Sequence, residues 1–367
     1  MRIRIVKFVD KLLGRFLASA LPRAPKHEVP DNIRSVLIVR PGGIGDACLL
    51  MPAIDLLVKE LPGLRVEVLA EKRNSQAFQM SKNVAHVWCY DRIRDFLLLT
   101  TRSYDVIIDT EQWYRLSAVF ARVITTPMRV GFATNERRRL FNYPVDYETD
   151  EYEPWSFFRL LSPLGICAEG PLPEIFLTIP DQVKAKVEAA LGLPQKGYVV
   201  IFPGSSVEEK RWGTDRFRKL AELIAAEGSA VVVVGGKEDV DTGREIVEGG
   251  LGLSLAGKIS LVESAAVVSN SRLLVAGDSG VLHMGLGLGK PTVSIFGPSN
   301  TGKWAPRGHQ HIVINRKLSC SPCAAFGITP PCPIGARCIQ EISADDVFTG
   351  VKKMLEKTGG KADPDAF

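Results

Sequence analysis

The fold is decided by residues 35–57, SVLIVRPGGIGDACLLMPAIDLL, in which an apolar stretch passes through a glycine-rich turn into a second apolar stretch. Residues 35–39 have the mostly apolar composition of a strand buried on both faces of a parallel sheet. Residues 46–61 then follow helical spacing, and one face of that helix carries Leu49, Leu50, Ala53 and Leu57. A strand that leads directly into a helix is the first part of a βαβ unit.

The same alternation continues on both sides of a proline-rich segment, residues 140–180. Before this segment, further strands are predicted at residues 65–69, 87–90 and 105–108. After it, the pattern predicts strands at residues 198–202, 230–234, 272–276 and 292–296, and helices from residue 215 and at 240–248, 261–269 and 279–288. The proline-rich segment itself lacks regular spacing, which indicates a connection between two domains.

These elements predict an α/β protein with two Rossmann-like, doubly wound domains that face each other across a cleft. The predicted domains span residues 31–175 and 176–345, preceded by an N-terminal helix and linker at 1–30 and followed by a C-terminal helix and tail at 346–367. Ligands of open parallel sheets bind beyond the carboxyl ends of the strands, so the loops there are the first candidates for a site.

The amino-acid composition excludes some classes of protein and favours others. The 367 residues are 46% hydrophobic and 24% charged, which is typical of a globular protein and excludes a disordered chain. The formal net charge of +5 is too small to indicate nucleic acid as a partner, but it suits anionic substrates or an anionic membrane surface. No apolar run reaches the roughly 18 residues of a membrane span, and charges interrupt any signal-peptide core, so we expect a cytoplasmic protein.

Residues 3–21 have the spacing of an amphipathic helix. Its apolar face carries Ile5, Val9, Leu12, Leu13, Phe16 and Leu17, and its polar positions include Lys7, Lys11 and Arg15. Such a helix favours peripheral contact with the inner membrane surface. The alternative is a helix packed on the protein's own domain.

The glycine-rich turn at residues 40–46, RPGGIGD, leads into a helix whose N-terminus attracts anions. One alternative is a nicotinamide dinucleotide fingerprint, but the third glycine position is occupied by Cys48, which is too large for close helix–strand packing. A second alternative is that Asp46 only caps the helix, because aspartate is a common helix cap.

Two segments in the second half of the sequence have the features of a phosphate-binding site. Ser205 and Ser206 follow a predicted strand, and the cations Lys210 and Arg211 come shortly after them. Residues 277–283, GDSGVLH, again join a strand to a helix, where free backbone N–H groups favour an anion. The alternatives are an exposed turn with solvated charges and a structural histidine.

Four cysteines lie close together in the sequence: Cys320, Cys323, Cys332 and Cys338. The Cys-x-x-Cys opening could hold a structural zinc ion. The remaining spacings are irregular, so a reduced, metal-free cluster and a disulfide pair stay open as alternatives.

Taken together, these segments resemble glycosyltransferase family 9, the ADP-heptose:lipopolysaccharide heptosyltransferases. The matching stretches are residues 40–52, 202–217, 257–300 and the cysteine-rich residues 320–340. The resemblance implies a GT-B fold, an inverting and metal-independent reaction, a nucleotide-sugar donor such as ADP-heptose held mainly by the C-terminal domain, and a lipid A–core acceptor bound by the N-terminal domain.

The resemblance also implies roles for individual residues. Asp46 matches the proposed general base, and Lys210 matches a catalytic lysine on the donor diphosphate. The remaining donor-binding positions are Ser205, Ser206, Glu238, Asp278, Ser279, Gly280 and His283, of which Glu238 would bind the ribose. The expected acceptor-binding positions are Gly43, Arg137, Arg138 and Arg139. The sequence departs from the family at residues 111–113, so the resemblance leaves the acceptor and the sugar transferred open.

Two other function classes stay open at this point. A nucleotide-sugar epimerase on the same fold would alter the donor and need no acceptor. A non-catalytic sugar-nucleotide-binding protein would function without Asp46. We expect sugar transfer to require no cofactor.

Overall fold

The computed structural model describes residues 10–194 and 197–359, and the chain divides into two compact units, Met1–Pro173 (unit 1) and Glu174–Phe367 (unit 2). This division lies two residues before the boundary predicted from the sequence. Within the described ranges, no helix is long and apolar enough to cross a membrane.

Unit 1 contains one parallel sheet of six strands: β1 (Ser35–Arg40), β2 (Arg65–Ala70), β3 (Val84–Cys89), β4 (Val106–Asp109), β5 (Met128–Phe132) and β6 (Tyr143–Val145). Its α-helices are α1 (Arg15–Ala20), α2 (Ile44–Glu60), α3 (Ile93–Thr100), α4 (Arg115–Val123) and α5 (Glu153–Arg159). Short 3₁₀ helices span Ser75–Met80, Glu136–Leu140 and Ser162–Leu164, and a π-helical turn spans Asp10–Gly14.

Unit 2 contains the second parallel sheet: β7 (Tyr198–Phe202), β8 (Ala230–Val233), β9 (Gly252–Ser254), β10 (Leu273–Gly277), β11 (Thr292–Phe296) and β12 (His311–Asn315). Its α-helices are α6 (Asp181–Ala190), α7 (Thr214–Ala226), α8 (Val240–Val247), α9 (Leu261–Ser269), α10 (Gly280–Gly287), α11 (Thr301–Trp304), α12 (Arg337–Gln340) and α13 (Ala344–Gly359). Two 3₁₀ turns span Glu208–Lys210 and Lys237–Asp239.

Both sheets have the same doubly wound strand order. The order is β3-β2-β1-β4-β5-β6 in unit 1 and β9-β8-β7-β10-β11-β12 in unit 2. Strand order reverses between β1 and β4 and again between β7 and β10, and loops diverge at such a switch point to leave room for a ligand. We refer to the carboxyl ends of these strands as the unit 1 edge and the unit 2 edge.

The proline-rich segment is not an independent connection. Residues 140–173 belong to unit 1, where Pro144 lies in the edge strand β6 and Pro154 lies in the first turn of α5. Both positions tolerate a residue without a backbone N–H group. The prolines at these two positions therefore lie in an edge strand and in the first turn of a helix. Because the segment lacks regular apolar spacing, the sequence pattern did not predict β6 and α5.

The first and last helices of the described residues pack on the two units. Ala18 of α1 lies in the apolar core of unit 1, and Asp10 accepts hydrogen bonds from the first backbone N–H groups of α4 at Arg115 (2.7 Å) and Leu116 (2.8 Å). Residues 3–9 of the predicted amphipathic helix lie outside the described residues. The C-terminal helix α13 contributes Val347, Val351 and Met354 to the core of unit 2, and residues 360–367 of the predicted tail are also outside the described range.

Candidate functional site

The unit 1 edge brings Asp46 to the switch point between β1 and β4. The chain leaves β1 through Gly42, whose φ of +102° favours glycine, and α2 begins directly afterwards. Gly43 is the N-cap residue, and a Cβ atom there would lie 2.7 Å from Oδ2 of Asp46. Asp46 is therefore the third residue of the helix rather than its cap, and its partly exposed carboxylate lies over a residue without a side chain.

A hydrogen-bonded chain of side chains leads from Asp46 into the interior of unit 1. The amide nitrogen Nε2 of Gln112 lies 3.5 Å from Oδ1 of Asp46 and donates to Oε1 of Glu153 at 2.6 Å. The hydroxyl of Tyr147 donates to the other oxygen of Glu153 at 2.9 Å. Glu153 is fully buried, so these partners fix the orientation of the Gln112 amide beside the candidate base.

Two buried arginines form ion pairs with buried carboxylates next to these hydrogen-bonded side chains. Nη2 of Arg40 lies 3.1 Å from Oε2 of Glu111, and Nη2 of Arg137 lies 2.7 Å from Oδ2 of Asp109. Burial raises the pKa of Glu111, although the charges of both arginines oppose this shift. Residues 111–113, where the sequence departs from the family, thus contribute Glu111 and Gln112 to the side-chain network beside Asp46.

The three predicted acceptor arginines have different environments. Arg137 is fully buried and bound to Asp109, so direct acceptor contact by Arg137 is a wrong prediction: its side chain reaches no surface. Arg139 donates to the carbonyl of Ser19 at 2.7 Å and is held against the N-terminal segment. Arg138 is exposed, and it is the member of this run best placed to meet a ligand.

The unit 2 edge contains a network centred on Asp278, which directly follows β10. Nζ of Lys210 donates to Oδ2 of Asp278 at 2.6 Å, the hydroxyl of Ser299 donates to the same oxygen, and Nε2 of His283 lies 3.8 Å from Oδ1. Burial alone would raise the pKa of Asp278. The charges of Lys210 and His283 and the hydrogen bonds from Lys210 and Ser299 lower it below its usual value.

The N-terminus of α10 lies beside this network. Ser279 is its N-cap residue, with a side chain that accepts a hydrogen bond from the backbone N–H of Leu282, and Gly280 is the first helical residue. A cationic side chain next to a helix N-terminus is an arrangement suited to a diphosphate. Ser205 and Ser206 follow β7, the strand next to β10, so they share the unit 2 edge with Asp278.

Glu238 also lies at the unit 2 edge, after β8. Its neighbour Asp239 is buried and accepts the backbone N–H of Gly236 at 2.9 Å, whereas Glu238 is exposed above Gly236. Burial raises the pKa of Asp239. Of these two acids, Glu238 is therefore the one whose carboxylate can meet a ligand.

Ser299 is not among the predicted site residues, although it lies in the stretch 257–300 that resembles the family. The backbone N–H groups of Cys323 and Ala324 donate to the carbonyl of Pro298, both at 3.0 Å, and the hydroxyl of Ser321 donates to the carbonyl of Gly297 at 2.6 Å. The cysteine-rich segment therefore supports the loop that places Ser299 on Asp278.

The four cysteines line one cavity. Burial and the neighbouring thiols raise the pKa values of Cys323 and Cys338, which favours protonated thiols. Across residues 10–194 and 197–359, no three side chains of histidine, cysteine, aspartate or glutamate are arranged to hold a metal ion. The geometry described here is that of a thiol cluster.

Comparisons with known proteins agree with these observations. Lipopolysaccharide heptosyltransferase 1 of Pseudomonas aeruginosa is 25% identical over 313 residues, which cover 78% of this chain and 85% of that protein. The structure of ADP-heptose lps heptosyltransferase II from E. coli superposes with a TM-score of 0.73 at 19% identity, over 89% of this chain and 99% of that one.

A glycosyltransferase family 9 structure from Veillonella parvula gives a TM-score of 0.75 at 19% identity and covers 90% of this chain and 100% of its own. These likenesses confirm the predicted α/β GT-B fold. The family model of glycosyltransferase family 9 (heptosyltransferase) matches residues 96–328, more than half of the sequence. The chain belongs to glycosyltransferase family 9.

Proposed function

We propose that the protein is an inverting glycosyltransferase that moves heptose from ADP-heptose to a lipopolysaccharide core acceptor. The Pseudomonas aeruginosa relative named above is a lipopolysaccharide heptosyltransferase, which supports this sugar and acceptor class. The observation that carries the proposal is the Lys210–Asp278–Ser299 network beside the N-terminus of α10, because it offers a donor diphosphate a cation and free backbone N–H groups.

The proposed reaction is a single displacement. The acceptor hydroxyl attacks the anomeric carbon of the heptose and transfers its proton to the carboxylate of Asp46. The bond between that carbon and the diphosphate oxygen breaks, and ADP leaves with the electron pair. Attack from the side opposite the leaving group inverts the anomeric configuration. Lys210 and the α10 N-terminus stabilise the charge that develops on ADP, which is why the proposal requires no metal ion.

Donor consumption tests the proposal. Purified protein is incubated with ADP-heptose, with and without a lipid A–core acceptor, and both sugar nucleotides and products are quantified. A transferase releases ADP only when the acceptor is present. An epimerase changes the donor without acceptor, and a binding protein changes neither substrate.

The proposed location is the cytoplasm, with peripheral contact to the inner membrane through the N-terminal segment. Leu12, Leu13 and Phe16 are exposed on this segment, although Ala18 packs into unit 1. Packing on the unit and contact with lipid are thus compatible, because they use different faces of residues 10–20.

The exposed Arg138 is expected to act on the acceptor. Arg138→Glu should raise the acceptor KM about fivefold, because a side chain that attracts a phosphorylated acceptor is replaced by one that repels it. The effect is modest because solvent screens charges at the protein surface. Steady-state kinetics with both substrates measure this effect. Arg244→Glu in unit 2 is the matched control, since Arg244 is a similarly exposed arginine paired with an aspartate of its own helix. An unchanged acceptor KM in Arg138→Glu contradicts the assignment.

A structural zinc ion at Cys320, Cys323, Cys332 and Cys338 stays a prediction. If the four thiols hold zinc, protein purified under reducing conditions contains one equivalent, which Cys323→Ser/Cys338→Ser removes. Elemental analysis measures the content, and Cys167→Ser is the control because Cys167 is an exposed cysteine of unit 1. If the parent protein contains less than one equivalent of zinc, the metal prediction is wrong and the four cysteines form either a reduced cluster or a disulfide pair.

A further inference from the structure

Helix α3 carries an apolar face that no part of the described chain covers. Ile93 is 78% exposed and Leu97 is 58% exposed, and Leu98 is also exposed beside them. The opposite side of the helix is anchored, since Leu99 is buried in the core of unit 1. These three exposed residues are called the α3 face below. Large contiguous apolar surfaces on a folded protein mark contact sites rather than random positions.

A second exposed apolar surface lies in the same helix layer. Leu12 and Phe16 are 60% and 67% exposed in the N-terminal segment. Helices α1, α3 and α4 all contribute to one core cluster on one face of the sheet. Helix α4 contacts α1, and the rings of Phe96 in α3 and Phe120 in α4 lie 5.2 Å apart. The two exposed surfaces therefore belong to two segments that both contact α4.

Both surfaces lie towards the edge of the sheet that carries Asp46. Strand β3 ends at Cys89 and α3 begins at Ile93, so the first turn of α3 lies at the unit 1 edge. Asp10 binds the first N–H groups of α4, which follows β4 at the same edge. Residues 10–13 are thus held at this edge, and α2 begins there with Asp46 in its first turn.

The charges around the α3 face favour an anionic surface. Arg92, Arg94 and Arg102 are exposed on and beside the helix, and Arg15 is exposed on the N-terminal segment. Two of these arginines have acidic partners, Asp95 for Arg92 at 3.9 Å and Glu136 for Arg15 at 3.2 Å, but residues 91–102 carry three arginines against two aspartates and keep a net charge of +1. Arginine side chains around an apolar patch complement phosphate headgroups above acyl chains.

We propose that the α3 face is a second lipid-docking element, which acts with residues 12–16 to place the unit 1 edge on an anionic phospholipid bilayer. The proposal rests on the membrane contact included in the proposed function and extends it to an element outside the N-terminal segment. Two weak elements held in one unit bind together more tightly than either alone, because the second contact becomes intramolecular. A lipid-linked acceptor would then present its sugar at the edge that carries Asp46.

The test compares three full-length variants by vesicle co-sedimentation: Ile93→Ser/Leu97→Ser, Leu12→Ser/Phe16→Ser and the combination of all four. The vesicles contain phosphatidylethanolamine with phosphatidylglycerol, and a second set contains phosphatidylcholine alone. The control variant is Ile175→Ser/Val240→Ser, which removes two exposed apolar side chains from unit 2.

Each docking double variant should lower the bound-to-free ratio on anionic vesicles at least about tenfold, because burial of a single leucine-sized side chain changes a partition ratio by about that factor. The four-residue variant should bind least, and the control should bind like the parent protein. Added salt should weaken binding of the parent protein.

Unchanged vesicle binding by Ile93→Ser/Leu97→Ser overturns the proposal. It is also overturned if sedimentation shows a dimer of the parent protein that this variant abolishes, since the α3 face then contacts a second copy. Transfer to a short, water-soluble acceptor is measured separately and should be unchanged in all variants. A parent protein that binds vesicles but fails to transfer contradicts the proposed function and leaves the docking surface intact.

Discussion

Asp46→Asn is expected to lower the rate of sugar transfer by about 10²–10⁴-fold, the usual cost of removing a general base. Asparagine keeps the size of the side chain and an oxygen towards Gln112, but it cannot accept the proton of the acceptor hydroxyl. Single-turnover rates with saturating ADP-heptose and acceptor measure the effect. Donor affinity should be unchanged, because the predicted donor-binding residues belong to unit 2.

The matched control is Asp55→Asn, the same substitution later in the same helix. Asp55 accepts a hydrogen bond from Nδ2 of Asn83 at 2.7 Å and lies away from the glycine-rich turn. Asp55→Asn should transfer sugar at the parental rate. If Asp46→Asn also retains near-normal turnover, Asp46 is a structural residue of the first helical turn and the proton acceptor lies elsewhere.

Lys210→Ala is expected to weaken ADP binding about 10–100-fold, in line with the roughly 1.5–3 kcal/mol of a hydrogen bond to a charged group. The loss has two physical sources. The variant removes the cation nearest the proposed diphosphate position, and it leaves Asp278 without its nearest cation, so that a largely buried carboxylate repels the ligand. Calorimetric titration with ADP and with adenosine separates diphosphate from nucleoside contacts, and adenosine should lose little affinity.

Lys219→Ala is the control for the Lys210 experiment, because Lys219 is an exposed lysine on α7 that pairs only with the neighbouring Glu222 among the described contacts. Its ADP affinity should match that of the parent protein. Equal losses of ADP and adenosine affinity in Lys210→Ala would indicate a distorted unit 2 rather than a lost phosphate contact.

The parts of the fold that rest on local pattern could be predicted from the sequence. The bounds of β7, β11 and α9 agree with the prediction, because each is a compact apolar run between clear turn signals. The inner strand β5 was missed because Arg129 and Gly131 interrupt its apolar run, and the edge strands β6, β9 and β12 were missed as well. An edge strand is covered on one side only, so selection for continuous apolar character is weaker there.

The parts of the site that depend on distant pairing could not be predicted. Gln112 is brought between Asp46 and Glu153 by contacts across 66 and 41 residues of sequence, and no local spacing encodes those distances. The arginine run illustrates the same limit. Residues 137–139 look alike in the sequence, yet a 3₁₀ turn directs Arg137 inward to Asp109 and leaves Arg138 exposed.

Because α13 follows all six strands of unit 2 in the sequence, the core of unit 2 can be completed only after residues 344–359 have been synthesised. The strand β6 of unit 1 ends at Val145, whereas unit 2 lacks Val347, Val351 and Met354 until α13 has left the ribosome. Domains generally fold as units in the order of their synthesis. A chain truncated before Ala344 therefore keeps every strand of the unit 1 sheet and exposes the apolar interior of unit 2 to chaperones and proteases.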